Sequence, residues 1–258
     1  MAQQLRIATS QFPVSSELTR NKNYVENHMR EASRRKAQVI HFPESALSGY
    51  GPAHYESFED FPWTQLEENT QAICALAASL NLWVVLGTMR QIEKSLPRNC
   101  LLVVSNKGKI EGVYDKRRLY GKEKGFYSHG QSPLLIEMNG FRCGFLICFD
   151  NCFPELYAEY RELGVKLLFH AFHNAGNAHP TSIEKLMEAN CIVRAADHQM
   201  WIVASNSSKR YSPLRACIVR PDGTMVKVRR HVAGITVDDF PTAELGWTYD
   251  NREYSVTS

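Results

Sequence analysis

Three residues of this chain could act together on an electrophilic carbon, and each lies where a predicted strand ends. Cys148 ends an apolar run, Glu44 follows the run 39–43, and Lys116 follows residues 112–115. In open α/β sheets, ligand sites lie beyond the carboxyl ends of the strands. If these three strands are parallel neighbours, we expect the three side chains to converge on one pocket.

The three side chains are chemically complementary. A cysteine attacks as its thiolate, so a neighbouring group must accept the thiol proton. Glu44 is the candidate base, because a dry pocket raises the pKa of a carboxyl group toward that of a thiol. Lys116 can stabilise negative charge that develops on a carbonyl oxygen. Cys148 also precedes a predicted helix that begins near Phe153, and a helix N-terminus favours a thiolate.

Each residue alone would have an ordinary explanation. A lone cysteine at the end of a strand is usually a small core residue. A lone glutamate or lysine is usually a solvated surface charge. The functional interpretation therefore depends on the sequence around the three residues.

Those surrounding segments resemble the motif blocks of the nitrilase superfamily of carbon–nitrogen hydrolases. The matching segments are 42–50 (FPESALSGY), 114–130 (Tyr114, Lys116, Leu119, Glu123, Tyr127 and Gly130), 144–155 (GFLICFDNCFPE), 194–196 (RAA), 201–206 (WIVASN) and 221–223 (PDG). Any one block is weak evidence, whereas all of them in order are strong. The order and spacing fit from residue 5 to about residue 254.

The resemblance implies a role for each matching residue. Cys148 would attack an amide or nitrile carbon and form a thioester, and Glu44 would act first as base and then as acid. Lys116 and the main-chain N–H of Phe149 would bind the oxyanion, and Glu123 would position the substrate. The resemblance implies no metal and no organic cofactor. It also implies a homodimer or a higher homo-oligomer.

The pattern of elements predicts an α/β fold. Predicted helices at 17–36, 64–80, 153–163 and 181–198 alternate with short strands, and hairpin turns at 106–109, 139–140 and 221–223 interrupt the alternation. This mixture favours two mixed sheets with helices outside, a four-layer α-β-β-α sandwich. That architecture is also the fold that the resemblance implies. Residues 1–258 contain no linker-like stretch, so we expect a single domain.

Composition excludes several classes of protein. The chain is 44% hydrophobic and 22% charged, which is typical of globular proteins, and its net charge of +3 argues against nucleic acid as a partner. No apolar run reaches the ~18 residues that span a bilayer, and no signal peptide is recognisable. We therefore expect a cytoplasmic protein without a membrane partner. Seven cysteines, an odd number, do not indicate a disulfide framework.

The loop 170–179 departs from the common patterns of the superfamily and contains three histidines and two asparagines. We expect His173 and Asn174 to contact a polar substrate. A metal site at His170, His173 and His179 is the sharper alternative, but no acidic or thiol ligand accompanies them.

Several activities stay open at this stage. The residues after the nucleophile, Phe149 and Asp150, are closer to amidases and carbamoylases than to true nitrilases, which usually have Trp-Glu there. Some carbamoylases carry an arginine shortly after the nucleophile, where this chain has Asn151 and Cys152. We expect a small-molecule amide substrate, with a carbamoyl substrate as the alternative. A nitrilase, a non-catalytic binding member and a thiol protease with a histidine base are weaker hypotheses.

Overall fold

The computed structural model describes residues 4–175, 179 and 183–241. The strands within these ranges are β1 (Leu5–Phe12), β2 (Val39–His41), β3 (Trp83–Ile92), β4 (Ser95–Val104), β5 (Ile110–Asp115), β6 (Ile136–Met138), β7 (Phe141–Ile147), β8 (Leu167–Ala171), β9 (Trp201–Ser207), β10 (Cys217–Val219), β11 (Met225–Lys227) and β12 (Gly234–Phe240). Every strand that the sequence predicted is present; β5 has the predicted ends, and the other strands differ from the prediction at one or both ends.

The helices in the described ranges are α1 (Leu18–Arg34), α2 (Gly51–His54), α3 (Trp63–Leu80), α4 (Pro154–Glu162) and α5 (Ile183–His198). Two 3-10 turns, Gly121–Gly125 and Cys148–Cys152, accompany them. The sequence predicted four of the helices but neither α2 nor the 3-10 turns. None of the helices in the described part of the chain is both long and apolar enough to cross a membrane.

The strands form one sheet that divides into two halves. The order is β5-β4-β3-β2-β1-β9-β8-β7-β6. In addition, β12 lies beside β1, β10 lies beside β9, and β11 lies beside β10. Only two residue pairs, Gln11–Asn206 and Phe12–Ser207, join β1 to β9. This narrow junction lets the two halves pack face to face.

The central strands of each half are buried on both faces. One apolar cluster lies between the halves and contains Val39 and Val85 of the first half together with Phe145 and Phe169 of the second. Alternate residues of the first half pack in a second cluster with α1 and α3, while α4 and α5 cover the second half. The sequence of a strand that is buried on both faces is a continuous run of apolar residues, as in residues 100–104 of β4. The result is the predicted α-β-β-α sandwich.

The strands that precede the three candidate residues are not neighbours, contrary to the condition stated from sequence. β2 and β5 belong to the first half and are separated by β3 and β4, whereas β7 belongs to the second half. Neighbouring strands are parallel along the series β7, β8, β9, β1, β2 and β3. β4 is antiparallel to β3, and β5 is antiparallel to β4, so β5 runs in the same direction as this series. All three strands therefore end at one end of the sandwich, where the facing halves bring their loops together.

β7 is shorter than predicted, because the sequence placed Cys148 and Phe149 in the strand. The strand ends at Ile147, and Cys148 begins a 3-10 turn with a φ of 42°. This backbone turn points the chain after β7 in a new direction. The hairpin at Asn139-Gly140 was predicted correctly, and both residues have positive φ, as its tight turn requires.

Candidate active site

A close approach of two strands places Glu44. A methyl group added at Gly87 of β3 would lie 1.9 Å from the main-chain oxygen of Pro43, so only glycine fits there. Residue 44 is thereby held against β3 just after β2 ends, and its carboxyl group is fully buried. The next residue, Ser45, has a φ of 56°, which turns the chain away from the sheet.

Lys116 lies between two buried carboxylates. Its Nζ donates to Glu44 Oε1 at 2.7 Å and to Glu123 Oε1 at 2.6 Å, and the lysine side chain is only 1% exposed. Burial lowers the pKa of Lys116, but the charges of the two carboxylates raise it more, so its pKa is well above the usual range. The lysine therefore stays charged, and the three groups carry a net charge of −1 when both carboxylates are ionised.

Both carboxylates have further partners that fix their orientation. Asn99 Nδ2 donates to Glu44 Oε1 at 2.7 Å, and the main-chain N–H of Tyr120 donates to Glu123 Oε2 at 2.6 Å. By contrast, Glu44 Oε2 is buried and has no hydrogen-bond partner among the described residues. One oxygen of Glu44 is thus free to accept a proton.

Cys148 is the partly exposed member of the site. Its Sγ accepts a hydrogen bond from Asn174 Nδ2 at 3.4 Å. Burial of the sulfur and the charge of Glu44 raise the pKa of the thiol well above its usual range, while Lys116 lowers it. The thiol therefore stays protonated at rest and needs a base. Cys148 also has a positive φ. This backbone conformation costs a non-glycine residue about 1–3 kcal/mol, and such strain is concentrated at functional sites.

The pKa of Glu44 is shifted in the direction that suits a base for this thiol. Burial raises the pKa of Glu44, and the charge of Glu123 raises it further, whereas Lys116 and Asn99 lower it. A carboxyl group with a raised pKa takes a proton from a thiol more readily than an exposed one does. A buried acceptor oxygen, a protonated thiol and a permanent cation can thus support nucleophilic attack and oxyanion stabilisation.

Asp150 ties the turn after β7 to the segment that carries Lys116. Its Oδ2 accepts from the main-chain N–H of Ile147 at 3.0 Å and from the hydroxyl of Tyr114 at 2.8 Å. Its Oδ1 accepts from the main-chain N–H of Arg118 at 2.9 Å. Burial raises the pKa of Asp150 to about 6, although these donors lower it. The carboxylate fixes the position of the nucleophile relative to the lysine.

The structure brings together most of the residues that the sequence singled out. Lys116 is in direct contact with both Glu44 and Glu123, and Asn174 contacts Cys148. Oδ1 of Asn206 holds Asn174 in place by accepting from its main-chain N–H at 3.0 Å.

Two other predicted positions lie around this centre. The ring of His173 stacks on Tyr50 at 4.8 Å, and its two nitrogens have no partner among the described residues. The ring of Phe149 packs on Tyr120 and Phe153, and the predicted oxyanion role of its main-chain N–H stays a prediction.

Sequence reasoning missed Asn99, Tyr50 and the positioning contacts of Asp150. Asp150 lies inside the motif at 144–155. Asn99 directly precedes the apolar run 100–104, and a single amide side chain next to such a run is a signal of a buried polar contact. Tyr50 closed the first motif block, yet nothing in that block indicated that its ring would pack on a histidine of a distant loop.

The alternative interpretations of the histidines find no geometric support. Among the described residues, no group of three His, Cys, Asp or Glu side chains is arranged to hold a metal ion. Nδ1 of His170 lies 2.8 Å from the hydroxyl of Tyr157, and the side-chain hydrogen bond to the Cys148 sulfur comes from Asn174 and not from a histidine. Burial lowers the pKa of His170 well below its usual range.

Known protein sequences resemble this chain over most of its length. The sequence model of the family described as carbon-nitrogen hydrolase matches residues 6–245. The chain is 27% identical over 217 residues to the omega-amidase NIT2 of Bos taurus, covering 79% of this chain and 75% of that protein. It is 25% identical over 199 residues to nitrilase homolog 2 of Dictyostelium discoideum, covering 72% of this chain but only 58% of that relative.

Solved structures share the fold. An amidase from Nesterenkonia sp. superposes with a TM-score of 0.81 at 20% identity, covering 98% of this chain and 95% of that one. The NitFhit protein of C. elegans superposes with a TM-score of 0.82 at 23% identity, covering 98% of this chain and 64% of that one. At these identities the likeness shows the mixed α/β sandwich and nothing finer.

The contacts of Asp150 lead to a prediction for Asp150→Asn. Asparagine must turn its NH2 group toward one of two main-chain N–H groups, so one hydrogen bond becomes a clash between donors. We expect a loss of about 1–3 kcal/mol in the free energy of unfolding. We also expect about tenfold slower alkylation of Cys148 by iodoacetamide, because its turn is displaced.

Asp222→Asn is the matched control, because Asp222 also accepts a main-chain N–H in a turn, from Thr224 at 2.8 Å, but is exposed. Urea denaturation and peptide mass spectrometry measure the two effects. Equal behaviour of the two variants would contradict the positioning role of Asp150.

Proposed function

Because the chain belongs to the carbon-nitrogen hydrolase family, as its motifs predicted, we propose that it hydrolyses a small linear amide through a thioester at Cys148. The observation that carries this proposal is the buried Lys116, which is held between Glu44 and Glu123 and is near enough to the partly exposed Cys148 for its charge to lower the pKa of the thiol. The omega-amidase relative and the amidase structures support an amide as substrate. One of those structures has acrylamide added at the active-site cysteine of that amidase.

In the first half-reaction, Glu44 Oε2 accepts the proton of the Cys148 thiol while the sulfur attacks the carbonyl carbon of the amide. The carbonyl π electrons move to the oxygen, and the charge of Lys116 together with the main-chain N–H of Phe149 stabilises the oxyanion. The protonated Glu44 then gives its proton to the leaving nitrogen. The carbon–nitrogen bond breaks, ammonia or an amine departs, and a thioester remains on the sulfur.

The second half-reaction uses the same groups with water. Glu44 Oε2 accepts a proton from water while the water oxygen attacks the thioester carbon. When the tetrahedral intermediate collapses, the carbon–sulfur bond breaks and the sulfur regains a proton from Glu44. The carboxylic acid leaves, so one water is consumed for each amide and the protein is regenerated.

Lys116 suits this cycle because its charge does not change. Its raised pKa keeps it protonated while Glu44 gains and loses a proton. Glu123 balances part of that positive charge and positions the ammonium from the opposite side. Asn174 contributes through its hydrogen bond to the sulfur.

An N-carbamoyl amidohydrolase is the alternative that the same centre permits. Asn151, at one of the places where some carbamoylases carry an arginine, is buried and accepts from the hydroxyl of Tyr157 at 2.8 Å. Cys152, at the other, is exposed. Neither provides a positive charge, which favours the amide over the carbamoyl substrate. A carbamoyl substrate would release carbon dioxide together with ammonia, so the products distinguish the two.

We also propose that the protein works as a homodimer in the cytoplasm. Three apolar side chains of α5, Ile183, Leu186 and Val193, are 44–55% exposed, and a second copy of the chain would cover them. The cytoplasmic location rests on the sequence alone and stays a prediction.

The proposed nucleophile is tested with a panel of small amides. We expect ammonia release by the wild type and at least about a 10³-fold loss for Cys148→Ala, because the thioester cannot form. Cys152→Ala is the matched control, since its thiol is exposed four residues away and should retain full activity. Amide hydrolysis that survives in Cys148→Ala would refute the mechanism.

The proposed base predicts the pH dependence of the reaction. Glu44 accepts a proton only when ionised, so kcat/KM should fall as the pH falls through its pKa. Because burial raises that pKa above the ordinary value of 4.5, the acid limb should lie above pH 4.5. A pH series of initial rates, with circular dichroism to confirm folding, measures this limb.

The variant Glu44→Gln distinguishes Glu44 from Asp150, the other buried carboxyl group with a raised pKa, as the origin of the acid limb. Any residual activity of that variant should lack the limb, although Asp150, with its pKa of about 6, is still present. A limb that persists unchanged in Glu44→Gln would assign it to another group and remove the argument for Glu44 as the base.

A further inference from the structure

A buried set of hydrogen bonds leads from the turn that begins at Cys148 into the second half of the sandwich. Asn151 of this turn contacts Tyr157 of α4, and Tyr157 contacts His170 of β8. The hydroxyl of Tyr157 lies 2.8 Å from Asn151 Oδ1 and 2.8 Å from His170 Nδ1. All three side chains are fully buried, and none of them takes part in the proposed steps of the reaction. We call these three residues the Tyr157 network.

The direction of these hydrogen bonds follows from the protons that the three side chains carry. Tyr157 has one hydroxyl proton, which it donates to Asn151 Oδ1. Burial lowers the pKa of His170 well below its usual range, so the ring is neutral at pH 7 and carries a single proton. That proton is on Nδ1, because the oxygen of Tyr157 has only an acceptor left for it. Loss of the hydroxyl would therefore leave two buried polar groups unpaired.

Both ends of the Tyr157 network lie at the backbone that carries the sulfur. Asn151 is three residues after Cys148, within the same 3-10 turn. His170 lies beside the last residues of β7, because it is paired with Leu146 in the β7–β8 ladder. The main chain of Cys148 is also close enough to the ring of His170 to raise its pKa, in opposition to burial. The network is therefore placed to control where the backbone of Cys148 lies.

The turn at Cys148 needs support from its surroundings. Its φ of 42° is a strained conformation, which persists only where neighbouring contacts over-determine it. Asp150 ties the turn to the segment that carries Lys116. Asn151, the next residue, ties the same turn to α4 through the hydroxyl of Tyr157. Two adjacent side chains thus hold the turn toward two different parts of the fold.

We propose that Tyr157 is a positioning residue for the nucleophile: its hydroxyl holds the turn through Asn151 and so places the sulfur of Cys148 for attack. The inference rests on the proposed function, because it takes Cys148 as the attacking group. Tyr157 is fully buried and acts only through the backbone of the turn. Its loss should therefore slow the attack and lower kcat, while KM for a small amide stays nearly unchanged.

The first test compares Tyr157→Phe with Tyr160→Phe, its matched control. Both tyrosines are fully buried in α4, and the hydroxyl of Tyr160 also has two partners. It donates to the main-chain oxygen of Phe145 at 2.8 Å and accepts from the main-chain N–H of Leu134 at 3.2 Å, and neither partner belongs to the turn. Each variant loses one buried hydroxyl, so the two should lower the midpoint of urea denaturation to a similar degree.

Only the loss of the Tyr157 hydroxyl should affect the nucleophile. Tyr157→Phe should slow the alkylation of Cys148 by iodoacetamide about tenfold and lower kcat by a similar factor, whereas Tyr160→Phe should change neither by more than about twofold. The measurements use a Cys152→Ala background, so that the exposed thiol does not compete for the reagent. Peptide mass spectrometry follows the alkylation, and initial rates with a small amide give kcat and KM.

Asn151→Leu tests the other side of the same hydrogen bond, because leucine is similar in size but cannot accept from Tyr157. It should slow alkylation by a similar factor, and the double variant should be within about twofold of the slower single variant. Equal alkylation or equal kcat in Tyr157→Phe and Tyr160→Phe, or independent effects of the two network substitutions, would overturn the positioning role. If the wild type hydrolyses no amide, the proposed function fails, and the alkylation rates alone then decide the positioning role.

Discussion

The ammonium of Lys116 between two buried carboxylates is the constraint on which the rest of the site depends. Three charged groups without solvent are costly. Their mutual contacts at 2.6–2.7 Å, together with the hydrogen bonds from Asn99 and Tyr120, offset that cost. Because Lys116 and Asn99 both donate to Oε1 of Glu44, the other oxygen is left without a partner. The arrangement that stabilises the buried charges thus also prepares a proton acceptor.

The fold enforces this arrangement with a few local features. Gly87 permits the backbone approach that places Glu44, and Asp150 connects the turn at Cys148 to Tyr114 and Arg118. These features belong to different halves of the sandwich, so the site forms only when the halves pack together. Its geometry is therefore a property of the whole sandwich.

The sequence was sufficient to predict the layers, the family and that Glu44, Lys116 and Glu123 would lie close together. Apolar runs that end in a charged residue or a cysteine mark strands that end at a site, and hairpin turns such as Asn139-Gly140 are local. What it could not supply were contacts between distant segments, such as Asn99 with Glu44 and Tyr114 with Asp150. Whether β2, β5 and β7 were neighbours was also beyond it, because strand order depends on tertiary packing.

The most direct measurement is a double-mutant cycle on the free energy of unfolding at pH 7, at one protein concentration. The variants are Lys116→Met, Glu123→Gln and the double variant. Lys116→Met should cost about 3–5 kcal/mol, because it leaves two buried carboxylates unpaired. Adding Glu123→Gln should recover part of that loss, with an interaction energy above about 1.5 kcal/mol. Additivity within about 0.5 kcal/mol would contradict a lysine that bridges both carboxylates.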